Sequence, residues 1–332
     1  MTTHSTAFVG PGDDPALWRT LEAAGLQAAG RFQLKAGWVS RAWVGDEYVV
    51  RLNTDPRHRE AYRHEATVVG LLAGSEVPHA RLIAHGDGPD GTWYISERLP
   101  GRTLHDAWPA ADHATRQEMI ESLGTALRAL HRVQAPADLR PPWLVGALAG
   151  EPWPAFHPPV VNATRQLIEA ARRLPDRDPG LLEDVTEWVQ ERLGLFAADE
   201  LVLVHGDLHG SNVIVDQGRV TGLIDFAEAV AQSADAELDT ILRWCARAGE
   251  YPPTPRDTGL DARTLVNVPS WLRGTYPELF GRRYLRERLN FYDLYVELAL
   301  YAHHPRSETR EAAQGSLTRL LAGRNHLDEL IW

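Results

Sequence analysis

Apolar and polar residues alternate in short runs through the first hundred positions, then recur at three- and four-residue spacing over most of the remaining chain. The alternation predicts three antiparallel strands over 31–34, 41–44 and 47–52, with Ala36-Gly37 and Gly45-Asp46 as turns. A short amphipathic helix over 15–24, opened by Asp13 or Asp14, precedes them. A longer helix follows over 57–72, its buried face marked by Ala61, Val68, Val69, Leu71 and Leu72. Two more strands, 83–86 and 93–97, end where Leu99-Pro100-Gly101 breaks the pattern.

From Thr103 the period is helical. Met119, Ile120, Leu123, Leu127 and Leu130 place a core helix over 111–133, and further helices are expected over 160–174, 180–196, 283–301 and 307–321. Residues 134–160 interrupt this regularity with prolines and with Trp143, Trp153 and Phe156, as a linker or a substrate-facing insertion. One stretch inside the helical half returns to strand chemistry: LVLVHGDLHGSNVIVDQGRVTGLIDF, 201–226. Apolar β-branched runs at 201–204, 213–215 and 220–224 flank a loop and the turn Asp216-Gln217-Gly218. Folding this stretch back on itself brings Asp207, Asn212 and Asp225 together without long-range help.

Two carboxylates and an amide at one point suit magnesium, which takes few protein ligands and leaves its other positions to water and phosphates. The order His205-Gly-Asp207, four residues, Asn212 repeats the kinase catalytic loop, and Ile224-Asp225-Phe226 stands where the kinase metal-binding Asp does. HGDLHGSN followed by IDF resembles the signature of the aminoglycoside phosphotransferase and choline-kinase-like family of small-molecule kinases. The resemblance runs from about Arg31 onward, its specific part lying within 204–239. It implies an α+β, bilobal protein-kinase-like fold, with a small β-rich N-lobe over 1–98 and a larger, mainly helical C-lobe over 99–332.

By the same resemblance Asp207 is the catalytic carboxylate, Asn212 and Asp225 hold Mg2+, and ATP, or GTP, lies between the lobes. His205 and His209 would position the loop, and Asp239 would brace it. Tyr48-Val49-Val50-Arg51 occupies the strand whose lysine contacts phosphate in kinases, so Arg51 becomes the phosphate partner. Glu65, mid-helix beside the buried stripe, is its expected ion-pair mate, since an unpaired carboxylate there would be costly; Glu60 is the solvated alternative. The turn 36–40, ending at Ser40, covers the phosphates or is a plain hairpin; it holds a single glycine. Glu97 to Leu99 would offer backbone groups to the purine, with Ile224 on the nucleotide side of the cleft.

Composition narrows the competing classes. The chain has 332 residues, a formal charge of -11 and one cysteine, Cys245. An acidic balance argues against a nucleic-acid partner, and a lone cysteine excludes an internal disulfide and suits a reducing cytosol. No apolar run approaches membrane-spanning length, and the first residues lack signal-peptide character, so a cytoplasmic location is expected. Lys35 is the only lysine. A metallophosphoesterase reading competes for the same letters, because His205, Asp207 and His209 alternate as transition-metal ligands would. A pseudokinase-like binding module is the non-enzymatic alternative. For the acceptor, the acid excess lies in 101–200, with 15 Asp and Glu against 10 Arg, whereas 229–332 holds 14 against 13. With Trp143, Trp153 and Phe156 as a stacking surface, this points to a sugar-containing or nucleoside-like antibiotic of few positive charges.

Overall fold

The computed structural model describes Phe8, Val9 and residues 13–27, 31–36, 40–55, 58–142, 159–196, 199–248, 260, 262–304 and 307–330. Trp143, Trp153 and Phe156 lie outside the described residues.

The amino-terminal half is built on one antiparallel sheet. Its strands are β1 (Phe8–Val9), β2 (Phe32–Ala36), β3 (Ser40–Val44), β4 (Tyr48–Asn53), β5 (Leu82–Gly88) and β6 (Gly91–Glu97), in the order β1-β2-β3-β4-β6-β5. Helix α1 (Pro15–Ala23) starts at Asp14, whose side chain accepts the Ala16 N–H at 3.1 Å. Its Leu17 and Leu21 close one sheet face over Phe32, Trp43, Val50, Leu52 and Ile95.

Helix α2 (Ala61–Leu72) covers the other face and begins four residues later than the sequence pattern suggests. Its buried stripe is Tyr62, Glu65, Val68, Val69 and Leu72, a 3.6-residue period that includes a carboxylate and an aromatic ring. Val68, Val69 and Leu72 share one continuous core with the helices of the second half. α2 therefore belongs to the sheet by sequence and to the larger core by packing.

Residues 98–101 lead from β6 into β7 (Arg102–Thr103), a short strand absent from the sequence expectations. It pairs with β9 (Val213–Asp216), which is hairpinned to β10 (Arg219–Leu223). Two residues give too little alternation to read, yet this pairing fastens the connection directly onto the hairpin. β8 (Val202–Val204) does not join that hairpin; it pairs with β11 (Val230–Gln232), just beyond Asp225. The helical body consists of α3 (Leu104–Ala107), α4 (His113–Leu130), α5 (Pro159–Arg172), α6 (Pro179–Arg192), α7 (Asp235–Ala246), α8 (Val268–Thr275), α9 (Pro277–Phe280), α10 (Leu285–His303) and α11 (Ser307–Leu321). No described helix is long and apolar enough to cross a membrane.

Candidate active site

The loop between β8 and β9 carries Asp207 and Asn212, and Asp225 follows β10. Gly206 makes the loop possible: its φ is +82°, and a Cβ there would lie 2.2 Å from the Glu228 carbonyl oxygen. His205 then pins the loop to the strand that precedes Asp225. Its Nδ1 accepts the Asp207 N–H at 3.4 Å and its Nε2 lies 2.9 Å from the Ile224 carbonyl. An amide only donates and a carbonyl only accepts, so the ring carries its proton on Nε2. Burial lowers the His205 pKa, keeping it neutral, and the ring stacks on Phe226 with centroids 4.6 Å apart.

Asn212 donates from Nδ2 to the Asp207 carbonyl at 2.8 Å and to Asp207 Oδ2 at 3.3 Å, which leaves its amide oxygen as the outward end. His209 accepts the Ser211 N–H on Nδ1 at 3.2 Å, so its Nε2–H side faces Asp207 Oδ2 at 3.6 Å. Asp225 has left-handed backbone, φ 66° and ψ 63°, a conformation tolerated by Asp and typical of residues aimed by function. The Asp207 and Asp225 side chains are 44% and 45% exposed, so both reach solvent.

Behind them lies a buried cation. Arg51 of β4 pairs through Nη2 with Glu65 of α2 and donates through Nη1 to Asp225 Oδ1 at 2.9 Å. Its side chain is 14% exposed and that of Glu65 is 3% exposed. Burial raises the Glu65 pKa to about 7 against the opposing pull of Arg51, while the carboxylates around Arg51 hold its own pKa well above the usual arginine value. The sequence-expected partners Arg51 and Glu65 are thus brought together, and both converge on Asp225. Glu60 instead pairs with Arg63 on the surface.

The donors fit magnesium. One carboxylate, Asp225, of which Arg51 engages only Oδ1, and one amide oxygen, that of Asn212, are the sparse hard-oxygen donors that suit magnesium shared with phosphates. A transition-metal hydrolase centre is not formed: both His205 nitrogens are spent on backbone groups, and among the described residues no three His, Cys, Asp or Glu side chains group as metal ligands.

At the connection, the Glu97 N–H donates to the Arg81 carbonyl and the Arg98 N–H to that of Glu47. Leu99 packs its side chain over Gly222, where a Cβ would come within 2.2 Å of Leu99 Cδ1. Ser40 opens β3, beside the Tyr62 phenol. Ile224 donates its N–H to the Asn212 carbonyl at 3.0 Å, tying the two expected metal-binding segments.

Asp239 is not placed against the loop that carries Asp207. It lies buried beside His326, 3.9 Å away. The brace is Glu237, whose Oε2 accepts the His205 N–H at 2.6 Å; two residues along a helix turn the side chain by about 200°, which separates the two acids. Asp235, at the first turn of α7, is fully buried and chelates Arg288 at 2.6 and 2.7 Å. Glu237 was hidden among three acids at alternate positions, and only its flanking Leu238 hinted at burial. Glu228, three residues after Asp225, lies on the turn whose backbone packs against Gly206.

A model of the phosphotransferase enzyme family matches residues 33–275. An aminoglycoside 3′-phosphotransferase of Streptomyces fradiae is 27% identical over 251 residues, covering 70% of this chain and 78% of that protein. The hygromycin-B 4-O-kinase of Escherichia coli is 25% identical, with coverages of 64% and 61%. Among solved structures, the streptomycin–ATP–APH(2″)-IIa ternary complex superposes with a TM-score of 0.63 at 14% identity, covering 96% of this chain and 99% of that one. A thermostable mutant of APH(4)-Ia with AMP-PNP and hygromycin B gives 0.61 at 20% identity, with coverages of 93% and 98%. These structures share the bilobal fold, and the family model spans the sheet, the loop, the metal-type donors and the helix beneath them: the chain belongs to the phosphotransferase enzyme family.

Proposed function

We propose that the enzyme transfers the γ-phosphate of ATP to a hydroxyl of a sugar-containing, aminoglycoside-type small molecule. The observation that carries this is that Asp207 and Asp225 are both half-exposed, with the buried Arg51–Glu65 ion pair joined to Asp225. Phosphoryl transfer asks the protein mainly to position reactants and stabilise charge. Asp207, oriented by Asn212 and His209, aligns the acceptor hydroxyl and takes its proton as the phosphoryl group leaves ADP. Arg51 offers guanidinium N–H groups to the phosphates, and the backbone of Glu97 to Leu99 faces the purine, with Ser40 at the covering turn and Ile224 opposite. Asp225 and the Asn212 amide oxygen hold Mg2+, which neutralises phosphate charge when bound.

The names of the relatives support an antibiotic acceptor: an aminoglycoside 3′-phosphotransferase, a hygromycin-B 4-O-kinase and a streptomycin complex are among them. Glu228, on the turn beside Gly206, supplies a carboxylate on the acceptor side. The weak acid excess of 229–332, 14 against 13, favours members with few amines. The test is ATP consumption with Mg2+ over a panel holding hygromycin B, streptomycin, kanamycin and nucleoside antibiotics. Acceptor-dependent turnover is expected, lost by at least about a hundredfold in Asp207→Asn with nucleotide affinity kept. No turnover with any hydroxylated acceptor, or unchanged turnover in Asp207→Asn, refutes the reading; preference for kanamycin over hygromycin B refutes only the charge argument.

A further inference from the structure

Arg51 sits in a setting that a guanidinium fills and an ammonium does not. It reaches two carboxylates on different elements, Glu65 on α2 and Asp225 after β10. It also lies between two rings: its Cζ is 5.0 Å from the Tyr62 ring centroid and 4.7 Å from that of Tyr94. The rings lean on each other, centroids 5.8 Å apart at 43°, and both are buried. Tyr62 comes from α2, one turn before Glu65, and Tyr94 from β6, directly opposite Arg51 in the β4–β6 ladder. Three elements therefore hold one planar cation. Burial pushes the Tyr62 phenol up to about 12, so it stays neutral beside the charge it faces. A flat, weakly hydrated guanidinium gains from aromatic faces and can bridge two carboxylates at fixed angles; a lysine ammonium is a strongly hydrated point charge without a fixed fork.

We propose that Tyr62 and Tyr94 are positioning residues that lock Arg51 across Glu65 and Asp225, and that they make arginine obligatory as the phosphate-facing cation. Before nucleotide arrives, the locked guanidinium is the counter-ion that keeps Asp225 aimed into the cleft. When Mg2+-nucleotide binds, the same rings hold the guanidinium in place for the phosphates, so that little ordering remains to be done. The inference rests on the nucleotide-dependent function above and adds the two residues that set the identity of its cation.

The experiment measures Mg2+-nucleotide affinity directly, by displacement of a fluorescent ATP analogue, alongside kcat and KM and thermal melting. Tyr62→Leu and Tyr94→Leu are expected to raise nucleotide Kd and KM by about tenfold while kcat changes by less than about threefold. The conservative Tyr62→Phe and Tyr94→Phe restore affinity to within about twofold, because the ring face rather than the hydroxyl is used. Arg51→Lys weakens binding by at least about tenfold in the native background and by far less when added to Tyr94→Leu. Native affinity in a folded leucine variant overturns the proposal, as does a phenylalanine variant as weak as its leucine counterpart. Should a leucine variant fail to melt cooperatively, Arg51→Lys alone decides: unchanged affinity overturns the lock. Absence of nucleotide binding by the wild-type enzyme would overturn both this inference and the proposed function, whereas unaltered binding by the variants overturns this one only.

Discussion

Asp225 carries two demands at once, since Arg51 holds one of its oxygens while the other faces the cleft. Removing it leaves the buried Arg51–Glu65 pair intact but takes away the only carboxylate proposed for the metal. Asp225→Ala should weaken Mg2+-nucleotide binding by at least about tenfold in calorimetry, and unchanged affinity would end the metal assignment. Glu237 gives a second residue-scale test. It is fully buried under the loop, accepts the His205 N–H, has His131 4.0 Å away, and its pKa is raised by burial to about 8 from an ordinary 4.5. A carboxyl raised in the folded state favours folding fully below about pH 4.5 and loses that contribution as pH climbs toward about 8. Glutamine keeps the accepting oxygen and does not titrate. Between about pH 6 and pH 8.5 the wild type should therefore lose more stability to urea than Glu237→Gln; equal losses would mean that Glu237 is already ionised at neutral pH. Asp207, Asn212 and Asp225 are legible as candidates in the sequence because they are local to one folded-back stretch. Arg51 and Glu65 were legible because a charge on a buried face needs a partner. Tyr62, Tyr94 and Glu237 were not, since an aromatic at a core position and an acid in an acidic helix start look the same whether they touch the site or not.

At the scale of elements, α7 is the floor of the loop. Glu237 meets it at His205, and seven residues later, on the same face, Trp244 meets it at Gly210. A Cβ on Gly210 would lie 2.3 Å from the Trp244 ring, which is itself buried and packed edge-on against Trp108 at 6.2 Å. Neither ring has room to yield. Gly210→Ala should cost about 1–3 kcal/mol in denaturant unfolding through overpacking and depress turnover by displacing Asn212; a stable, fully active variant would show that the loop floats free of its floor. Strand and helix identities followed from periodicity, and Ser307–Leu321 coincides with the expected helix at both ends. The pairing of β8 with β11 was hidden, because three-residue strands state that they are extended but not which edge they join.

The whole molecule divides by sequence near the break at Leu99-Pro100-Gly101 but is fastened across it. α2 packs into the core of the helical half, and His64 from α2 reaches the Ala229 carbonyl at 2.7 Å, just beyond Asp225. Thermal unfolding should therefore be one transition, and Mg2+-ATP at about a hundred times its Kd should raise all of it, worth about 2.7 kcal/mol by mass action. Two transitions, with nucleotide shifting only one, would mean that the lobes unfold separately. Arginine at the proposed phosphate position has one more consequence, for chemistry done on the enzyme rather than by it. Nucleotide probes that acylate an amine depend on a lysine near the phosphates, and the only lysine of this chain is Lys35, exposed on β2, while a guanidinium stays protonated and unreactive toward them. Such reagents would find no amine at position 51 and could reach only Lys35, which the β2–β3–β4 register sets in the same cross-strand row two strands away, whereas an arginine-directed dicarbonyl, blocked by Mg2+-ATP, would report on position 51 itself.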